Sequence, residues 1–307
     1  MTAISCPNGE PSQYEYLPSI AASVIFIIAF GILTVGHVFL MIRGKQWFMT
    51  AFIVGGLFEV SGFGVRILGH NSPCNDNSEI AQKILILVAP SIFAATIYMI
   101  LGRTVRAIHA DKLSPIRPSR LTIIFVSGDV ACFCVQVAGA AIMSGGSSKK
   151  SNINLGRYII LVGLALQIIL FGLFVFVAFI FHNRIHKRPT EASFRPQIRW
   201  EIMLFALYGV SSLIMVRNIF RVIETAGGRN GYLLSHEWPL YVFDSILMAA
   251  VMALLLYYFP TLIRPRKSYT TDSMEAQPIQ AGHQHEGYRK VSAPPSSPSN
   301  IHREIQR

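Results

Sequence analysis

Apolar residues along this chain run in seven long blocks separated by short polar stretches. The blocks cover Ser19–Ile42, Phe48–Leu68, Ala81–Leu101, Leu121–Met143, Tyr158–Phe181, Ile202–Ile223 and Leu240–Ile263. Each has roughly the 20 residues that a helix needs to cross a hydrocarbon core. The pattern predicts an all-α integral membrane protein, a bundle of seven transmembrane helices. The first block is too long for a cleavable signal peptide and lacks its basic flank, so it is expected to remain as a span. Residues 1–18 then form a short segment ahead of the bundle, and residues 19–263 form the membrane domain. From Arg264 the character changes. The stretch 264–307 is rich in Ser, Pro, Gln and His, cannot bury enough apolar surface to fold, and is expected to be a disordered tail.

Polar residues inside the blocks are few, and they recur at helical spacing. Arg217, Arg221 and Glu224 stand at i, i+4 and i+7 and face one way. Asp244 follows Glu237 by seven residues, with Tyr241 between them on the same stripe. Glu59 and Arg66 are likewise two turns apart, as are Asp129 and Gln136, and Gln167 adds an amide in the fifth block. A charge at mid-membrane costs roughly 2.5–3.5 kcal/mol on insertion scales, so such residues face a bundle interior or a water-filled cavity. Arg66, Arg217 and Arg221 fall at the depth of Glu224, Glu237 and Asp244, which predicts a charge cluster. That cluster is either an ion-pair network fixing helix register or part of a binding site.

Glu59 sits near mid-depth with no partner on its own helix within one turn. Together with Asp129 and Asp244 it is a candidate for substrate binding or proton relay. Arg66 lies near the outer surface, where snorkelling outward is the plain alternative to a place in the charge cluster. Asp129 is expected to pair with Arg103 or to line an inner vestibule. Pro90 should kink the third helix by removing a backbone hydrogen bond. His37, Cys132 and Cys134 read as packing residues.

Composition agrees with the pattern: 52% hydrophobic against 14% charged, where a soluble domain carries roughly 25% charged residues. The net charge of +11 would fit a nucleic-acid partner, but its distribution does not. Arg43 and Lys45 follow the first block, and Arg103, Arg106, Lys112, Arg117 and Arg120 follow the third. Arg184, Lys187, Arg188, Arg195 and Arg199 follow the fifth, and Arg264, Arg266 and Lys267 the seventh. The opposite side carries only Lys149, Lys150, Arg157 and Arg229. By the positive-inside rule the N-terminus is outside and the C-terminus cytoplasmic. Arg264, Arg266 and Lys267 are placed to meet anionic lipid headgroups, or simply to stop the helix. Cys6 and Cys74 both fall on the outer side, where a disulfide is chemically permitted and two free thiols are the other reading.

The same residues form a pattern. It comprises Tyr16-x-Pro18-Ser19, Glu59-x-x-Gly62-Phe63-x-x-Arg66, Ala89-Pro90 with Tyr98-x-x-x-Gly102-Arg103, Asp129 with Gln136, and Gly163-Leu164-x-x-Gln167. Its most specific elements are Arg217-x-x-Phe220-Arg221-x-x-Glu224 and His236-Glu237-x-x-x-Tyr241-x-x-Asp244. The chain resembles the fungal lipid-translocating exporters, the RTA-like (resistance to aminocholesterol) proteins, from about Tyr16 to Pro260. One departure is Ala22 or Ser23 where an asparagine is expected.

The resemblance implies a membrane protein, most naturally of the plasma membrane or another secretory-pathway membrane. Its role would be export of sphingoid long-chain bases or resistance to toxic amphiphiles, with membrane lipids or amphiphilic small molecules as partners. The alternative is a seven-helix, receptor-like sensor or regulator of membrane lipid asymmetry. Against a G-protein-coupled receptor, Gly102-Arg103-Thr104 stands where an acidic-Arg-aromatic triplet would be, and no Asn-Pro-x-x-Tyr follows. No phosphate-binding Gly-x-x-x-x-Gly-Lys-Ser/Thr occurs, and the membrane-level histidines are too scattered for a zinc hydrolase. Neither an enzyme nor a cofactor or metal is expected.

Overall fold

Seven helices form in the computed structural model, which describes residues 19–71, 76–144, 150–190, 193, 200–227 and 237–263. They are α1 (Ile20–Gly44), α2 (Thr50–Asn71), α3 (Asp76–Ala107), α4 (Pro118–Ser144), α5 (Lys150–Lys187) and α6 (Trp200–Gly227), followed by α7. Helix α7 is continuous but made of three pieces: Trp238–Leu240, a π-helical stretch Tyr241–Ile246, and Leu247–Ile263. All seven are long and apolar enough to cross a membrane, and the described residues contain no strand. Several helices outrun the apolar blocks, α5 by a turn or more at each end. Hydropathy marks the length that faces hydrocarbon, whereas the hydrogen-bonded ladder continues into the polar zones.

Local chemistry sets the ends. Ser19 caps α1, its side chain accepting from the Ala22 N–H at 3.4 Å. Lys45 closes α1 in the left-handed region, with φ 51°. A single 3₁₀ turn, Trp47–Met49, then leads into α2.

Sequence neighbours pack together around the bundle, α1 also meets α7, and α3 packs on α2, α4 and α6. Of the most apolar stretch of α3, 56% is buried, against 22% for α1, so α3 is the central helix and α1 a peripheral one. Side chains such as Ile25, Ile32, Val162, Ile169 and Phe176 point outward, as a lipid-facing surface requires. Helices α4 and α5 approach through small residues: a Cβ on Gly139 would lie 2.7 Å from the Gly156 carbonyl oxygen. An aromatic group of Tyr98, Phe125, Phe171 and Phe174 fills the junction of α3, α4 and α5, with Tyr98 and Phe174 edge-on at 4.5 Å.

Helix α3 runs unbroken through Pro90, which is buried within it. Cys6, Cys74, Arg264, Arg266, Lys267 and the stretch 264–307 lie outside the described residues.

Candidate functional site

The geometry of the charge cluster follows from three helices. On α6, Arg217 and Glu224 are buried and Arg221 nearly so, all along one stripe. Facing them, Asp244 sits inside the π-helical stretch of α7, 2% exposed. A π-turn widens the helix locally and re-aims its side chains, and such turns concentrate at functional sites. Both oxygens of Asp244 are taken: Oδ1 accepts from Arg217 Nε at 2.5 Å, and Oδ2 from Arg221 Nη2. Arg221 also donates to Glu224 Oε2 at 2.9 Å.

The third helix contributes backbone. Pro90 has no N–H, so the carbonyl four residues earlier, that of Ile86, loses its helical donor. Arg217 Nη2 donates to that oxygen at 2.9 Å. One guanidinium thus neutralises Asp244 and repairs the gap in the α3 ladder, as a neighbouring helix must do in a medium without water.

A second knot ties the same end of the bundle. Glu237 Oε1 accepts from Arg66 at 2.7 Å, from the Tyr241 hydroxyl at 2.6 Å and from the Ser19 N–H at 2.8 Å. It therefore joins the starts of α1 and α7 to the end of α2. Burial pushes the Glu237 carboxyl up, but the bonds from Tyr241, Ser19 and Arg66, with the charge of Arg66, hold it below its ordinary value. The Arg66 guanidinium lies 5.5 Å from the centre of the Tyr241 ring, which stacks on Phe26.

Glu59 differs from the other acids. It is 1% exposed and close enough to Asp244, Arg217 and Arg221 to feel their charges. Its Oε1 is buried without a hydrogen bond among the described residues. Beside it, a Cβ on Gly62 would meet Ile86 of α3 at 2.7 Å, so that face of α2 is closely packed.

A separate polar group crosses α3, α4 and α5. Tyr98 donates to Asp129 Oδ2 at 2.8 Å. Gln136 donates to Gln167, and Gln167 to Ser91 Oγ, both at 2.8 Å.

Comparison with known proteins decides the lineage. Residues 52–267 match the family model described as RTA1 like protein. The chain belongs to the RTA1-like family. Among its relatives in Saccharomyces cerevisiae, Protein RTA1 is 33% identical over 275 residues, covering 81% of this chain and 85% of that protein. Protoporphyrin uptake protein 1 is 32% identical, covering 78% of this chain and 89% of its own length. The sphingoid long-chain base transporter RSB1 is 24% identical over 299 residues, covering 87% and 76%. No solved structure matches the chain.

The RTA1-like match spans nearly all of α2 and everything from there to α7, and so contains every charged residue of the cluster. The structure brings together Arg66 with Glu237, and Arg217, Arg221, Glu224 and Asp244 with one another. It places Glu59 beside the second group, and Asp129, Gln136 and Gln167 elsewhere.

The structure chooses between the readings open for two residues. Arg66 does not snorkel outward: it is 2% exposed and turned inward, because Glu237 and the Tyr241 ring offer it both charge and a π-face. Asp129 does not pair with Arg103, whose guanidinium lies 4.1 Å from the Phe48 ring centre. Tyr98 reaches Asp129 instead, so no second charge needs burying there. His37 packs as expected, bonded to the Met252 carbonyl at 3.0 Å, while Cys132 is buried and Cys134 exposed. Sequence reasoning missed the Ile86 carbonyl and the π-turn. The first had a signal, a proline four residues downstream, and the second had none.

Proposed function

We propose that this integral membrane protein translocates cationic amphiphiles, with a sphingoid long-chain base as the model substrate and Glu59 as the group that receives its amine. One observation carries the reading. Arg66, Arg217 and Arg221 each have an acid partner within the ion pairs to Glu237, Asp244 and Glu224. Glu59, the fourth acid, forms no ion pair among the described residues, and its Oε1 no hydrogen bond. A carboxyl in that setting needs a proton or another cation to balance it, because an isolated buried charge is prohibitively costly. Exchange of a proton for an alkylammonium keeps the site neutral in both states and gives transport an ion gradient to draw on.

The surroundings fit an amphiphile. At the junction of α3, α6 and α7, Ile86, Arg217 and Asp244 form the polar level. An apolar crevice in the same junction is lined by Ile97, Ile100, Leu207, Val210 and Leu255. Leu255 follows Asp244 by eleven residues, or about 16 Å of helix. A charged head at the polar level would leave its alkyl chain directed toward this apolar crevice, which as it stands has a volume of only about 10 Å³ and must widen to admit one. The relatives' names point to ligands of opposite charge, a long-chain base and a porphyrin. A site whose arginines are matched by acids and whose spare group is a carboxyl favours the cation.

Glu59→Gln retains shape and removes the charge. Expressing cells should lose resistance to added long-chain base at unchanged protein level, and liposomes carrying the variant should fail to move a labelled base. Release at the wild-type rate from Glu59→Gln protein would show that the amine binds elsewhere.

A further inference from the structure

The geometry points to a binding site for a divalent transition-metal ion at the opposite end of the bundle, formed by His182 and His186 of α5. It is independent of the transport reading. The two histidines are i and i+4 on one helix, the spacing that places two imidazoles side by side on one face. Their Nε2 atoms lie 3.0 Å apart and their rings are 4.8 Å apart and near-parallel. Arg184, between them in sequence, is turned away and donates to the Leu113 carbonyl at 3.3 Å.

The hydrogen bonds fix which nitrogen is available. The Tyr208 hydroxyl on α6 has one proton and donates it to the Ala178 carbonyl, an acceptor only, at 3.2 Å. It must therefore accept from His182 Nδ1, also at 3.2 Å. With Nδ1 protonated, neutral His182 carries its lone pair on Nε2, where it accepts from His186 Nε2–H at 3.0 Å; a metal ion would take the place of that proton, with neutral His186 then protonated on its own Nδ1. This is the arrangement of a metal-ligating histidine, whose distal N–H is held by an outer acceptor that sets tautomer and ring orientation. Trp200 stands edge-on to both rings and fixes the remaining side. His186 is exposed, so an ion has a path in.

Imidazole donors select zinc, copper, nickel or cobalt over magnesium or calcium. Among the described residues no three metal-ligating side chains gather, so the protein supplies two ligands and water fills the other positions. Glu201, in the first turn of α6, acts electrostatically on His182 and adds negative charge to a neighbourhood otherwise rich in Arg and Lys.

The test uses the full-length protein in detergent, purified without a histidine tag and titrated with Co²⁺ while its visible absorption is followed, then displaced with Zn²⁺. One equivalent of imidazole-ligated Co²⁺ is expected in the wild type. It should disappear in His182→Gln and in His186→Gln, the latter replacing an exposed side chain that the fold does not need. Tyr208→Phe keeps both ligands and should weaken binding by about 10- to 100-fold. His283→Gln/His285→Gln removes the other closely spaced histidines of the chain and should leave the titration unchanged. No binding in the wild type, or binding retained in both His182→Gln and His186→Gln, overturns the site and leaves the pair a plain hydrogen bond.

Discussion

Two polar groupings cross this bundle, and they are built on opposite terms. The first joins α2, α6 and α7 through guanidinium–carboxylate pairs: Arg66 to Glu237, and Arg217 and Arg221 to Asp244. The second joins α3, α4 and α5 without a cation: the Tyr98 hydroxyl meets the Asp129 carboxyl, and a run of neutral groups links Gln136 to Gln167 to Ser91. Helix α3 serves both, lending a backbone carbonyl to the first and side chains to the second. Charged partners cannot be removed singly without stranding the other, whereas a neutral amide left alone in a membrane loses little. The charged grouping should therefore be fragile to single changes and the neutral amide run of the second tolerant of them.

The sharpest break is at Asp244. Asp244→Ala strands the buried Arg217 guanidinium and leaves Arg221 with Glu224 alone, and loss of one partner of a buried pair costs roughly 3–5 kcal/mol. Folded yield and detergent melting temperature should both collapse. Arg221→Ala should be milder, since Arg217 still meets Asp244.

Next comes the α3 carbonyl. Arg217→Lys keeps the charge but lacks the fork that spans Asp244 and Ile86, leaving an unmade buried hydrogen bond worth about 1–3 kcal/mol. Adding Pro90→Ala supplies the missing N–H and should recover part of the loss. Additive losses in the double variant would show that Arg217 does not act as the surrogate donor.

The neutral grouping should respond least among the single changes. Gln167→Leu should cost about 0.6–1 kcal/mol, near the average for a hydrogen bond between membrane helices. Gln136→Leu/Gln167→Leu should cost no more than Gln167→Leu alone, because the Gln136 amide then goes with its partner and only the Ser91 hydroxyl loses a bond. A Gln167→Leu penalty equal to that of Asp244→Ala would erase the distinction between the two groupings.

The smallest effect is a pH dependence at Glu237. Its folded pKa is lowered, so its stabilisation is fully present above the ordinary glutamate value near 4.5 and is lost as pH falls through the lower folded value. Melting temperature measured downward from pH 5 should drop more steeply in the wild type than in Glu237→Gln. Parallel curves would mean that Glu237 is not held by Arg66, Tyr241 and Ser19.

The sequence made the seven helices legible because each needed an uninterrupted apolar length, and charges in such a length stand out. It made the membership of the charge cluster legible too, since Arg217, Arg221 and Glu224 share a face at helical spacing. It did not reveal who meets whom. Asp244 lies in a π-turn, and a register counted at 3.6 residues per turn misplaces whatever follows such a turn. Arg66 looked free to reach water until Glu237 and Tyr241, from the far end of the chain, came to lie beside it. Asp129 looked in need of a cation because a tyrosine is not counted as a partner when charges are paired by sign. Glu59 was legible as unpaired on its own helix, and among the described residues it forms no ion pair and its Oε1 no hydrogen bond.

The bond between Arg217 and the Ile86 carbonyl also has a history within the making of each molecule. Its partners are 131 positions apart in the chain. While synthesis proceeds, α3 enters the bilayer with one carbonyl lacking its donor, and no residue made before α6 is the one that finally caps it. Until then α3 carries a polar flaw at membrane depth, and insertion of α6 removes it while delivering the arginine that Asp244 will soon need. In the finished bundle this bond joins α3 to α6, and α7 meets a surface that carries Arg217 and Arg221. A chain truncated before Arg217 would display the open carbonyl, a mark by which an incomplete protein differs from a complete one in the lipid itself.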